Sequence, residues 1–284
     1  MTIPEKIVAG GKQYTVTVIE EKAFFSCYAL TKIKLPDTIT AIKGYAFAYT
    51  DLKTIEIPKS VTEIVDTALN TCFYLKDISI SEDNPKYSSD KQGCVYNKNK
   101  TELLFALYTV NNVVIPKTVK AIGKYAFSGT LLKSVKIPNS VERIKASAFD
   151  FCLNLKSINI PNSVKVIDGW AFSYCDALKK VTIGKNVTKI GKYAFENCSK
   201  LKTVAINSTK LKTIGTGAFY KDKKLTSIVL KTTKLTKKSV KANALKGTNK
   251  KLVIKVPTKM LSKYKKYFKN KGNTTVKVNA IIEN

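Results

Sequence analysis

The sequence predicts a repeat solenoid built mostly from short parallel β-strands joined by loops and short helical turns, closed at its C-terminal end by a helix-containing segment. Three observations predict it. First, an isoleucine followed four residues later by Ala-Phe or Ala-Leu recurs at Ile19, Ile42, Ile64, Ile122, Ile144, Ile167, Ile190 and Ile214, with Val240 as a last variant. The alanines of this phrase are 23, 22, 58, 22, 23, 23, 24 and 26 residues apart, so one interval holds an insertion. Second, each phrase follows a short alternating apolar stretch that in several copies ends in proline. Third, from about residue 251 the phrase gives way to a lysine-rich stretch of different periodicity. A fixed period of this size belongs to chains whose units bury apolar positions only against neighbouring units.

Residues 1–250 read as one solenoid of about nine coils. Met1-Thr2-Ile3-Pro4 has neither the basic start nor the apolar core of a signal peptide, and Ile3-Pro4 matches Ile57-Pro58 and Ile137-Pro138, so the chain is expected to begin inside a repeat. The aligned copies give L-x-x-I-x-I-P-x-S-V-x-x-I-x-x-x-A-F-x-x-C. A full instance runs Leu155, Ile158, Ile160-Pro161, Ser163-Val164, Ile167, Ala171-Phe172, Cys175. Alternation from Leu155 to Ile160 predicts a half-buried strand, and a proline, lacking an N–H, ends its pairing. Val164 and Ile167 begin the return side. The small-large pair Ala171-Phe172, repeated in each coil, predicts an internal phenylalanine column. Gly44, Gly123, Gly169, Gly191 and Gly215 fall before the Ala-Phe step, where a tight bend is expected to need their backbone freedom. The insertion spans about 81–112. Beyond it, Lys251 to Val256 reads as a last strand, with Thr258 capping a helix from Lys259 to about Lys271. Leu261, Tyr264 and Phe268 share one face of that helix, Gly272 ends it, and Thr275 to Val278 is a final strand. A solenoid needs such a terminal cap over its last open core.

The phrase I-P-x-S-V-x-x-I-x-x-x-A-F-x-x-C resembles the BspA-like leucine-rich repeat family of bacterial surface proteins, from about Ile3 to Leu245. Asn84-Pro85-Lys86-Tyr87 followed by Gly93-Cys94-Val95-Tyr96 through Leu104 looks like the hairpin-bearing variant unit of that family. Lys12 to Ile19 is similar to its extended first coil. The resemblance implies a leucine-rich repeat fold and an extracellular adhesion or recognition protein without catalysis. It names no ligand, since the signature consists of core positions.

Other chemistry finds little support. The chain has no histidine, which removes Ser-His-Asp and Cys-His arrangements and most zinc sites. No phosphate-cradling glycine loop is present, and the acids form no recurring pair. Glu82, Asp83, Asn84 and Asp90 lack the alternating spacing of a calcium loop. No cofactor and no metal are expected. Cys27, Cys72, Cys152, Cys175 and Cys198 share one repeat position, which Thr50, Thr130 and Asp222 also occupy; Cys94 lies in the insertion. In-register side chains on neighbouring strands sit about 4.8 Å apart, whereas bridged Cβ atoms want roughly 3.8 Å. Buried free thiols are therefore expected rather than a disulfide ladder.

Charge and exposed columns bear on partners. The chain carries 50 basic and 20 acidic residues, net +30, and half of that excess lies in residues 231–284. Arg143 is the only arginine. Such a surface favours polyanions diffusely but not specific nucleic-acid readout, which leans on arginine's planar fork. No run of 18 apolar residues suggests a membrane span. In leucine-rich repeats the third and fifth positions of L-x-x-I-x-I face the concave side. Lys32, Lys34, Thr54, Glu56, Lys136, Asn159, Lys180 and Thr182 are the candidate binding residues there. A lysine column at position two (Lys53, Lys76, Lys133, Lys156, Lys179, Lys202) either keeps like coils soluble or follows a linear polyanion. Lys259, Lys263, Lys265, Lys266, Lys269 and Lys271 of the cap are candidates for contact with an anionic surface such as cell-wall polymer. The expectation is a secreted or cell-surface protein that binds a protein or glycan; the alternative is a lysine-driven binder of anionic polymers.

Overall fold

The computed structural model describes residues 1–69 and 71–281. The chain winds into about 11 turns of solenoid, and each turn contributes to two parallel ladders. Long strands form one face. Thr54–Ile57 pairs with Asp77–Ile80, and Asn112–Val114 with Ser134–Lys136. Ser157–Ile160, Lys180–Ile183, Thr203–Ile206, Ser227–Leu230, Val253–Val256 and Lys277–Ala280 then make one six-stranded sheet. Strands of mostly two residues, such as Ala41–Ile42, Arg143–Ile144 and Lys189–Ile190, form the second face, at the isoleucine of the repeated phrase. Registry is strict: Ile158 lies beside Val181, Val204 and Ile228 in succession. With a side-chain period of two, that register sends Ile158 and Ile160 inward and Ser157 and Asn159 out.

The predicted phenylalanine column exists in two runs. Phe24 stacks on Phe47 at 5.4 Å. Beyond the insertion Phe127, Phe149, Phe172, Phe195 and Phe219 follow one another at 5.1, 4.9, 5.2 and 5.6 Å with nearly parallel rings. Beside every ring of the column except Phe24 a buried alanine leaves room for the next turn's backbone.

The insertion is more than a hairpin. Tyr87–Ser89, Cys94–Asn97 and Glu102–Ala106 form an antiparallel meander whose last strand joins Ala121–Ile122 in parallel, extending the second face. Asn112–Val114 then supplies a long strand of its own, a rung hidden in the 58-residue interval. Its free edge meets Gln92, whose side-chain amide accepts from the Val114 N–H at 2.9 Å and donates to its carbonyl at 3.2 Å, mimicking a neighbouring strand. At the N-terminus, Lys6–Ala9 and Lys12–Thr15 form an exposed antiparallel hairpin around Gly10-Gly11, both with positive φ.

The glycines before the Ala-Phe step serve a different purpose from the one predicted. None of Gly44, Gly123, Gly169, Gly191 or Gly215 has a positive φ. They are small because turns touch: a Cβ on Gly123 would lie 2.5 Å from the Leu103 carbonyl oxygen, and one on Gly191 would collide with the Asp168 backbone. The left-handed bends fall instead on the residue before the alanine (Tyr45, Tyr125, Trp170, Tyr193) and on the third after it (Tyr49, Phe151, Tyr174, Asn197).

The C-terminal segment continues the solenoid. Val253–Val256 and Lys277–Ala280 are the last two rungs of the long-strand sheet, and the final strand lies two residues later than predicted. The helix is Leu261–Phe268, shorter than Lys259 to Lys271, because Thr258–Met260 forms a 3₁₀ turn first. Thr258 makes no side-chain cap; Met260 occupies the N-cap position. Tyr264 and Phe268 are buried against the end of the core, and the Tyr264 hydroxyl donates to the Thr232 carbonyl at 2.9 Å and accepts from the Leu235 N–H at 3.3 Å.

Candidate functional site

Outward positions of the long strands make two columns along the solenoid. One runs Ser157, Lys180, Thr203, Ser227, Val253, Lys277; its neighbour runs Asn159, Thr182, Ala205, Val229, Lys255, Asn279. Because the strands are in register, successive side chains stand about 4.8 Å apart, so the face is a grid whose composition is set coil by coil. All eight predicted residues of this face lie on it, and all but the half-buried Thr182 are exposed.

The structure divides them. Lys32, Lys34, Thr54 and Glu56 line one depression of about 880 Å³ at the N-terminal end of the grid, together with Glu5, Asp37, Lys59 and Asp83. Thr2 bridges to Lys34, and Lys32 to Thr54, so four turns contribute to one concavity. Three lysines meet four carboxylates here, in a chain with a net charge of +30. Lys136, Asn159, Lys180 and Thr182 stand further along the same face, past the insertion that precedes Asn112–Val114. From Ser134 onward the outward positions bear Lys136, Lys180, Lys255 and Lys277 and no acid. Lys259, Lys263, Lys265, Lys266 and Lys269 are exposed and Lys271 is half-buried. Lys265 and Lys269 flank a shallow hollow with Asn273 and Lys277, where the cap meets the last rung.

Groups that suggested chemistry in the sequence are consumed by structure. Asn84 is buried, donating to the Pro58 and Val61 carbonyls and accepting from the N–H groups of Lys86 and Tyr87. Asp90 accepts from the Gln92 and Cys94 N–H groups and from the Tyr96 hydroxyl. Among the described residues no three His, Cys, Asp or Glu side chains are grouped to hold a metal ion, and no helix is long and apolar enough to cross a membrane. Cys94, Cys152, Cys175 and Cys198 are buried free thiols, whereas Cys27, at the edge turn, is exposed. Burial pushes the Cys152 and Cys94 thiols up to about 12, away from the thiolate a nucleophile requires.

One feature lay outside the sequence reading. The left-handed and adjacent positions put aromatic rings on the solenoid's outer turns: Phe25, Tyr49, Phe73 and Tyr108 run edge to face at 5.4, 6.0 and 4.8 Å. Trp170 stacks with Tyr193 at 5.8 Å. All but Tyr108 sit one place before or a few after the alanine of the repeated phrase. Tyr49, Trp170 and Tyr193 have positive φ, which no periodicity reveals.

Comparison with known proteins agrees with this architecture. A sequence search of curated proteins finds no match. Two solved structures align with a TM-score of 0.64. The pneumococcal vaccine antigen PcpA is 20% identical over 99% of this chain and 89% of that one. A leucine-rich repeat protein from Eubacterium ventriosum is 24% identical over 95% and 82%. A leucine rich cell surface protein from Faecalibacterium prausnitzii is 26% identical, with a TM-score of 0.54, over 99% of this chain and 59% of that one. The sequence profile of the BspA type leucine rich repeat region matches over residues 12–103, 99–226 and 142–275, with six copies. Two parallel ladders, the internal phenylalanine column and this match together place the chain in the BspA type leucine-rich repeat family.

Proposed function

We propose that this protein is a non-catalytic recognition or adhesion module, secreted or displayed on a bacterial cell surface, that binds a protein partner through the N-terminal end of its long-strand face. The observation that carries this reading is the four-turn depression holding Lys32, Lys34 and Lys59 against Glu5, Asp37, Glu56 and Asp83. Charges of both signs at fixed spacing select a complementary pattern and reject a uniformly charged polymer. Family membership and the leucine rich cell surface protein among the structural neighbours support the setting. A glycan presenting both hydroxyls and charge fits the same grid less fully, since no aromatic ring lines the depression.

A second reading is favoured by a separate observation. The acid-free outward columns from Lys136 to Lys277, with the lysines of the cap, suit an anionic cell-wall polymer. The two readings differ in salt response, because neutralising many phosphates or sulfates releases counterions and makes affinity fall steeply with salt.

Binding to immobilised matrix proteins, mucin glycans, cell wall and DNA is measured from about 0.1 to 0.5 M salt, where screening lengths fall below 10 Å. Wild type is compared with Lys34→Glu/Glu56→Lys and with a cap variant in which Lys263, Lys265, Lys266 and Lys269 become Gln. Selective binding that persists in salt and is lost in the charge-swapped variant supports the proposal. Binding to every polyanion that vanishes with salt and is lost only in the cap variant replaces it with the second reading.

A further inference from the structure

The second face carries a groove that neither reading uses. Arg143, Val166, Lys189 and Thr213 follow one another in register on its short strands. Beside them, where the chain leaves the isoleucine of each turn, a groove of about 540 Å³ opens between Arg143, Asp168, Trp170, Lys189, Lys192 and Lys241. Its floor is backbone. Gly169, Gly191 and Gly215 lie one per turn, and a Cβ on Gly215 would fall 2.5 Å from the Gly191 carbonyl carbon. The chain's only arginine and only tryptophan thus share one recess.

Its charge balance differs from the rest of this flank. Upstream, basic side chains here meet carboxylates on a neighbouring or nearby turn: Lys43 with Glu63 at 2.7 Å, Lys145 with Glu102 at 2.5 Å, Lys165 with Glu142 at 2.6 Å. Arg143 closes the series with a bidentate pair to Asp168, 2.7 and 3.1 Å. That pair uses the groove's one carboxylate. Among the described residues, Lys189, Lys192 and Lys241 have no acid within ion-pair distance. Lys192 instead rests over the Trp170 ring, Nζ 4.1 Å from its centroid. Lys189 and Lys241 stand two turns apart, about 10 Å along the stacking direction and offset across the groove, with Thr213 and Thr216 of the intervening turn lining it.

We propose that this groove binds an anionic oligosaccharide bearing sulfate or uronate groups. Ammonium groups at the two ends and at the tryptophan suit point anions spaced along a sugar chain, and the threonines suit the hydroxyls between. Nucleic acid fits poorly: Asp168 neutralises the guanidinium, and Trp170 already packs against Lys192 and Tyr193, leaving no platform for a base.

Trp170 makes the groove its own reporter, because no other tryptophan contributes to the emission. The full chain is titrated at about 0.15 M salt with a heparin-derived hexasaccharide, an oligogalacturonate of similar length, a neutral oligosaccharide, an oligonucleotide and a short poly-glutamate. The expected result is a saturable change in tryptophan emission with one or both anionic saccharides and none with the neutral one. Lys189→Gln/Lys241→Gln should weaken that binding about tenfold or more, some 1.4 kcal/mol, and the cap variant should leave it within about twofold. Saccharide binding seen by calorimetry with unchanged tryptophan emission overturns the proposal. So does equal affinity in the groove variant, or equal affinity for the oligonucleotide or poly-glutamate. Neither outcome touches the long-strand face, whose charge-swapped variant is scored separately.

Discussion

The position that most copies fill with cysteine shows how one side chain joins two turns. The Cys152, Cys175 and Cys198 thiols donate to the carbonyls of Phe127, Phe149 and Phe172, one turn back, at 3.0 to 3.1 Å. Thr50 and Thr130 donate to Phe47 and Phe127 with a hydroxyl at 2.8 Å, so the position calls for a small buried donor. Asp222 fits that demand only when protonated. Its Oδ1 accepts from the Cys198 N–H, its Oδ2 is buried without a partner, and burial holds its carboxyl well above the usual carboxylate range. The folded-state pKa exceeds the unfolded one, so its contribution to stability is complete below about pH 4 and lost as pH rises. Burial also lifts Asp150 to about 6, which places its share of the loss between roughly pH 4 and pH 6. Asp222→Asn should therefore be more stable than wild type at pH 7, by about 1–3 kcal/mol, and should flatten the decline above pH 6; urea midpoints across pH 4 to 8 test this. Thiol titration offers an independent check. In the native protein only Cys27 should react rapidly with a disulfide reagent, and Cys94, Cys152, Cys175 and Cys198 only upon unfolding.

At the scale of the single turn, two opposite constraints act on the three residues between isoleucine and alanine. Close backbone approach demands glycine at Gly123, Gly191 and Gly215, while the left-handed bend tolerates Tyr125, Tyr193 and Asn243 at a cost of roughly 1 kcal/mol each. Gly123→Ala should then destabilise the fold by about 1–3 kcal/mol through overpacking, although its φ is ordinary. Asn243→Gly, at an exposed position with φ 54°, should stabilise it by up to about 1 kcal/mol. Denaturant midpoints of the two variants check both signs. The same bend brings the outer aromatic rings to the surface, and with them Trp170.

Across the whole molecule, each turn contacts little beyond its neighbours, so the ends govern how unfolding begins. At the C-terminus Tyr264 and Phe268 are buried on a helix that packs against the last rung, where Val278 is also buried. Tyr264→Phe removes one buried donor and should cost about 1 kcal/mol. Tyr264→Ala opens a cavity, should cost about 3–5 kcal/mol, and should split thermal unfolding into an early C-terminal phase and a later main transition. Differential scanning calorimetry reads both. The insertion sets the other division. It interrupts the long-strand face between Asp77–Ile80 and Asn112–Val114, separating a mixed-charge end from an acid-free one.

Periodicity was enough to place the inward residues, because a coil that must stack on its copy repeats its apolar positions and little else. Phe172, Ile167 and Cys175 are legible for that reason, as are the outward positions of Lys32, Glu56 and Asn159. The Gly10-Gly11 hairpin had a sequence signal too, a turn pair between alternating residues. Proximity across turns was not legible. That Lys34, Glu56 and Asp83 share one depression, or that Arg143 and Trp170 meet Lys189 and Lys241, depends on how far the chain advances per turn and which bends turn left-handed. Those quantities follow from backbone contacts such as Gly215 on Gly191, which a pattern of side-chain types does not encode.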